Sequence, residues 1–224
     1  MTLIGTTRFL VRLSEPQWLR QMKHAGRLRF TPLSHYRATE LKNDAERFDE
    51  FKGALRIDQP RSVRRVTLEF RDKQTGAFLD RADHKLAGPI KWFGTSGITH
   101  VLCFSIHEQP LRLGTTTVDL TSSPENLGAA ALLVHDFHGF VSQVKDFMML
   151  NQVYFECAPV EYVPHDFDGE YGAFRKPDRL KHQREYRLGV GVQGDEPVEF
   201  TIPGLGETME VFSGRKVDVT CSSS

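Results

Sequence analysis

Cysteine is scarce in this chain, with three residues, Cys103, Cys157 and Cys221, among 224. Their odd number, wide spacing and lack of a Cys-x-x-Cys pair argue against a disulfide framework and for a reducing compartment. Long apolar runs are missing as well. No stretch approaches the roughly 18 apolar residues a membrane-crossing helix needs. The stretch Met1–Leu13, which carries Arg8 and Arg12, lacks the apolar centre of a secretion signal. The expectation is a cytoplasmic protein with no membrane partner. Net charge is also absent, with 29 Lys and Arg against 29 Asp and Glu, so the chain as a whole is drawn neither to nucleic acid nor to anionic lipid. The balance is uneven, however. Residues 1–65 hold 14 basic and 7 acidic side chains, leaving the remainder net acidic. No Gly-x-Ser-x-Gly elbow is present, which removes the common serine-hydrolase pattern.

The alternation that is present predicts one α+β domain over residues 1–220, with a frayed tail at 221–224. Phe9, Val11 and Leu13 alternate with Arg8, Leu10 and Arg12, as in a strand over Thr7–Leu13. Ser14 and Gln17 have capping-box spacing, Pro16 suits a first helical turn, and Gly26 ends the apolar stripe Trp18, Leu19, Met22 and Ala25. A second helix starts at Asp136, with Phe137, Phe140, Val141, Val144, Phe147 and Met148 on one face. A polar helix is expected over Ser34–Phe51. Strands are expected at Arg27–Phe30, Ala54–Ile57, Val63–Phe70, Ile98–Ile106, Ala129–Val134, Val153–Cys157 and Val160–Val163. Four more follow at Tyr186–Val192, Val198–Ile202, Met209–Phe212 and Val217–Val219. Ile98–Ile106 is the most apolar and is expected at the centre. The fold class is therefore α+β, a mixed and mostly antiparallel sheet with two main helices. The segment Pro164–Pro177, rich in Gly, Pro and Asp but carrying Phe167, Tyr171 and Phe174, has the composition of a functional lid or clamp.

Two motifs are decoys. Gly189–Gly194 spells G-x-G-x-x-G, but the strand-like Val198–Ile202 follows where a dinucleotide site needs a helix N-terminus, so a turn at Gly194–Asp195 is expected. Gly189 and Gly191 fall on one strand face and leave room there for a ligand or a crossing element. The nine histidines form no recognisable zinc spacing, and no metal is expected.

Three patches carry reactive residues where core packing does not demand them. They are Arg8 and Arg12 with Tyr36, Arg37 and Glu40; Ser105 on the apolar strand; and Phe174–Pro177 followed by Lys181–Arg187. In these the chain resembles the ADP-ribosyltransferase superfamily, in the branch whose pattern is arginine, serine, then Gln/Glu-x-Glu. It is similar also to uncharacterised bacterial and phage proteins with a Gly-x-Leu-x-Phe-x-x-Leu-x-x-Tyr-Arg opening and a late Gln-x-Glu-x-Arg segment, here Gly26–Arg37 and Gln183–Arg187. The resemblance implies NAD as substrate and an ADP-ribosyltransferase-like fold. Arg12 or Arg8 would grip the phosphates, with Tyr36 and Arg37 nearby. Ser105 would shape the nicotinamide pocket, and Gln183 and Glu185 would serve catalysis. Cys103-Phe104-Ser105 keeps only the last position of the family's Ser-Thr-Ser. The expected function is mono-ADP-ribosylation of a protein or nucleic acid, as by a toxin or antiviral effector. The alternative is a non-catalytic nucleotide- or partner-binding module. Lys181, Gln183, Glu185 and Arg187 also alternate as on a solvated edge strand, where ion pairs contribute little.

Overall fold

The computed structural model describes residues 3–35, 53–63, 65–72, 74–85, 87–93, 97–112, 114–120, 128–214 and 216–221. Its centre is an eight-stranded sheet whose main path runs β10 (Tyr154–Pro159), β14 (Glu185–Gly191), β7 (His100–Arg112), β1 (Leu3–Ser14), β9 (Ala130–Val134) and β16 (Met209–Phe212). Off that path, β2 (Arg27–Pro32) pairs with β7, and β15 (Val198–Thr201) pairs with β2. Every pairing in this sheet is antiparallel. The α+β class expected from the sequence is observed.

Period two explains the sheet. Leu10 of β1, Leu102 and Phe104 of β7, Leu132 and Val134 of β9, and Tyr186, Leu188 and Val190 of β14 share one buried face. Helices α1 (Pro16–Ala25) and α2 (Phe137–Leu150) cover it. From α2, Phe140, Val144 and Met148 are buried, and the Phe140 ring meets Phe104 edge-on at 5.6 Å. Each such side chain contributes roughly 1.5–3 kcal/mol on burial. Asp136 caps α2 as expected, accepting from the Gly139 N–H at 2.9 Å. The cap of α1 differs from expectation. Ser14 is held in the ladder opposite Ala130, so Glu15 takes the N-cap position and makes no side-chain cap bond.

The other face of the sheet is covered in two pieces. Phe9, Val11, Ala131 and Leu133 pack with Leu120 and Val217 beside the ribbon of β8 (Gly114–Asp119) and β17 (Lys216–Cys221). Val101 packs with Leu33 and Ala173, the latter from the Pro164–Pro177 segment. That segment is ordered as a clamp. It contains β12 (Gly169–Glu170), which pairs with β3 (Ala54–Asp58), and β13 (Arg175–Pro177), which pairs in parallel with β11 (Glu161–Val163). Tyr171 is buried against Ala54, Ile57 and Val163. Beyond β3 come the ribbon of β4 (Arg65–Arg71) with β5 (Phe78–Lys85), and β6 (Ile90–Phe93), which pairs with β3. No element is expected from the sequence at β5, β6 or β8, and Phe78–Lys85 and Gly114–Asp119 show no apolar–polar alternation. The helix expected over Ser34–Phe51 falls almost wholly outside the described residues, as do Thr121–Asn126 and the final three serines. Among the described residues no helix is long and apolar enough to cross a membrane.

The Gly189–Gly194 stretch joins two strands through a turn, as expected, with Gly194 at φ 99°. The room left by its glycines is taken by chain. A Cβ on Gly189 would lie 2.7 Å from the Ile98 side chain, and one on Gly191 would lie 2.7 Å from the Gly97 carbonyl. A shallow hollow of about 380 Å³ opens beside Gly191, against Thr99, Tyr154 and Gln193, at the far end of β14 from Glu185.

Gly26 ends α1 at φ 62°, and a Cβ there would stand 2.1 Å from the Ile202 carbonyl oxygen. Gly26→Ala should therefore destabilise the protein by at least about 1–2 kcal/mol, the cost of a left-handed non-glycine residue alone, measured as a lower urea midpoint at unchanged m-value.

Candidate functional site

The two strands expected to carry the serine and the Gln-x-Glu motif are neighbours. Glu185 lies directly opposite Ser105, and Arg187 opposite Cys103. On its other edge β7 meets β1, with Ser105 opposite Val11. Ser105, Cys103 and His107 alternate with Phe104 and Ile106, so they project from the face turned away from the helices, together with Glu185 and Arg187.

Glu185 is 8% exposed, yet it is not isolated. Its Oε2 receives the Lys176 ammonium at 2.8 Å and the Arg187 Nη2 at 3.1 Å. Lys176 is 4% exposed and Arg187 1%. Arg187 also donates through Nη1 to the Ala173 carbonyl, and Lys176 to the Gln183 Oε1 at 2.5 Å. The backbone N–H of Glu185 donates to the Tyr162 hydroxyl at 2.8 Å. Burial raises the Tyr162 phenol to about 12. Charges held this deep need one another, because a buried ion deprived of its partner retains its full desolvation cost. The segment from 164 to 177 therefore contributes more than a cover, since it delivers Lys176 to the carboxylate.

Gln183 reaches this cluster by a route the sequence does not suggest. It ends a 3-10 turn, Asp178–Gln183, and Arg184 follows with left-handed backbone at φ 43° before β14 begins. Strand parity thus does not align Gln183 with Glu185; their shared bond to Lys176 does. The edge-strand reading of Lys181–Arg187 is also corrected. β14 lies between β10 and β7, and Glu185 and Arg187 are buried.

The Ser105 hydroxyl donates to the Val11 carbonyl at 3.2 Å and lies 3.1 Å from His107 Nε2. With the hydroxyl proton spent on Val11, the ring N–H completes the second contact. Burial pushes the His107 imidazole below its ordinary value, and the nearby positive charge of Arg184 adds to this, so the ring is neutral at pH 7.

The arginines of the first strand lie elsewhere, contrary to their expected role beside Glu185. Arg8 and Arg12 alternate with Phe9 and Val11 and belong to the parity of Leu10, on the helix side of the sheet. Arg8 forms an exposed pair with Glu108 directly across the ladder, at 2.6 Å. Arg12 Nη1 donates to the Cys103 carbonyl at 2.6 Å. That carbonyl sits where β7 has passed its last pair with β1, at Ser105, and has not reached its first with β2, at Val101. Arg12 thus satisfies a backbone acceptor in the gap between two strands. Tyr36, Arg37 and Glu40 lie outside the described residues. Lys176 and Arg187 fall inside the third reactive patch of the sequence, but their role as the cations that hold Glu185 is not read there, and Tyr162 and His107 are given no role in the site. The one available sign was charge between apolar neighbours, as at Arg187 between Tyr186 and Leu188. Among the described residues, no three or more His, Cys, Asp or Glu gather as metal ligands.

No family model matches the chain, and neither does any curated protein or solved structure.

Replacing Glu185 by Gln removes the carboxylate from two buried cations. The expected loss is about 3–5 kcal/mol of unfolding free energy, read by chemical denaturation at neutral pH. At high pH a second signature is expected. A phenol that ionises near 10 when unfolded and near 12 when folded supports the native state fully below pH 10, and that support is lost as pH rises toward 12. Tyr162→Phe should flatten this alkaline fall in stability between pH 10 and 12.

Proposed function

We propose that the chain is an NAD-dependent mono-ADP-ribosyltransferase with Glu185 as its catalytic carboxylate, acting on a protein or nucleic acid as a toxin or antiviral effector would. The supporting observation is strand adjacency. Two of the three elements of the family pattern, the serine on β7 and the Gln-x-Glu that leads into β14, lie on neighbouring strands, and Glu185 stands opposite Ser105. An ADP-ribosyltransferase-like fold belongs to the same proposal.

In the proposed reaction the bond between ribose C1′ and the nicotinamide nitrogen breaks. Nicotinamide leaves neutral with the bonding pair, and positive charge develops at C1′. A fixed carboxylate stabilises that charge and accepts a ribose hydroxyl. Lys176 and Arg187 favour the ionised form of Glu185, as nearby cations do. Gln183 orients the acceptor nucleophile, whose proton passes to solvent water as the new bond to C1′ forms. Ser105 and the neutral His107 border the nicotinamide side. Arg8 and Arg12 have no part in this site.

The second reading, a non-catalytic nucleotide- or partner-binding module, is favoured by that placement of Arg8 and Arg12 and by the burial of the Glu185 carboxylate against two cations. The two readings separate on turnover. With NAD labelled in the nicotinamide ring and a lysate as acceptor source, the transferase releases nicotinamide, and Ser105→Ala and Gln183→Ala each slow release at least tenfold without loss of fold. Saturable NAD binding with no release in the wild-type protein would establish the binding module instead.

A further inference from the structure

We infer that Arg184, with Lys181 beside it, forms a phosphate-binding lip next to the Glu185 cluster and takes the pyrophosphate of a nucleotide. Three features of the chain carry this. Arg184 is one of two non-glycine residues among those described with positive φ, and its conformation is fixed from both sides. Its N–H donates to the Lys181 carbonyl at 3.2 Å, and its own carbonyl accepts from the Ile106 N–H at 2.7 Å. Strained backbone of this kind persists where the surroundings enforce it and is concentrated at functional positions.

The second feature is where the strain puts the side chain. A regular strand would leave Arg184 on the helix side with Tyr186, inside the core. The left-handed turn instead leaves it exposed, between the two members of the Gln-x-Glu pair and close enough to His107 for its charge to be felt there.

The third is charge. Arg184 and Lys181 are exposed and make no ion pair among the described residues, whereas Glu185 behind them is already held by Lys176 and Arg187. The lip therefore presents positive charge unopposed by its own carboxylate. A planar guanidinium suits a phosphate oxygen pair, and the ammonium of Lys181, three residues earlier, suits the neighbouring phosphate. This supplies at Arg184 the role that Arg8 and Arg12 are placed too far round the sheet to fill.

For NAD the inference rests on the transferase reading, whereas for inorganic pyrophosphate it does not. The test is calorimetric titration of the full chain at low ionic strength, once with inorganic pyrophosphate and once with ADP-ribose. The proteins are wild type, Arg184→Gly, and Arg20→Gln as a control for charge loss on the far side of the sheet. Glycine accepts φ 43° freely, so Arg184→Gly should melt no lower than wild type and remain a fair comparison. The expected result is that Arg184→Gly binds both ligands at least about tenfold more weakly, the scale of one charge-assisted contact, while Arg20→Gln matches wild type. Arg184 is overturned if wild type does not bind pyrophosphate, if Arg184→Gly binds it within twofold of wild type, or if Arg20→Gln weakens it equally. Pyrophosphate binding that depends on Arg184, without ADP-ribose binding, would sink the transferase reading and leave the lip standing. ADP-ribose binding indifferent to Arg184→Gly would do the reverse.

Discussion

A carboxylate buried under two cations ties the clamp to the centre of the sheet. Glu185 begins the strand that pairs with the centre of the sheet, Arg187 is two residues further along it, and Lys176 arrives from a clamp that is itself anchored on β3 and β11. None of the three charges tolerates burial alone. The closing of the clamp, the start of β14 and the register between β14 and β7 therefore form together or not at all. This is why Pro164–Pro177, with the composition of a loose lid, is instead ordered through backbone pairing and a buried Tyr171.

β7 is the spine that makes the cluster possible. Along one edge it carries β14. Along the other it carries β1 and then β2, with a short unpaired stretch between them that the Arg12 guanidinium bridges. The same arrangement divides the sheet into a helix-covered apolar face and a second face on which two small apolar clusters flank the polar group around Ser105 and Glu185. The buried charged cluster lies on the face that the helices leave open, and a long loop supplies its Lys176. The turn that leads into β14 leaves an exposed cation, Arg184, immediately before the carboxylate in the chain.

Much of the fold was legible because its signals are local. Asp136 capping α2, Gly26 ending α1 and the turn at Gly194 each depend on residues within one turn or a few positions. The apolar strands of the main sheet announce themselves by alternation. The strands β5 and β8 are not legible because their sequences carry no apolar–polar alternation, which marks only the boundary between core and water. The start of α1 was misplaced because the ladder claimed Ser14, a tertiary choice that overrode a good local cap.

The sequence by itself determined that strands and two helices would build one mostly antiparallel sheet, and it singled out Ser105, Gln183 and Glu185 as chemically out of place. It could not determine who meets them. Side-chain parity along β1 was readable, but which parity faces Glu185 depends on the register between strands roughly a hundred residues apart, where a slip of one position exchanges the faces. The tertiary structure decided that Arg8 and Arg12 belong to the helix side, that Lys176 and Arg187 hold the carboxylate, and that Arg184 turns outward. The physical reason is that these contacts are made between distant segments, and only burial makes their charges interdependent.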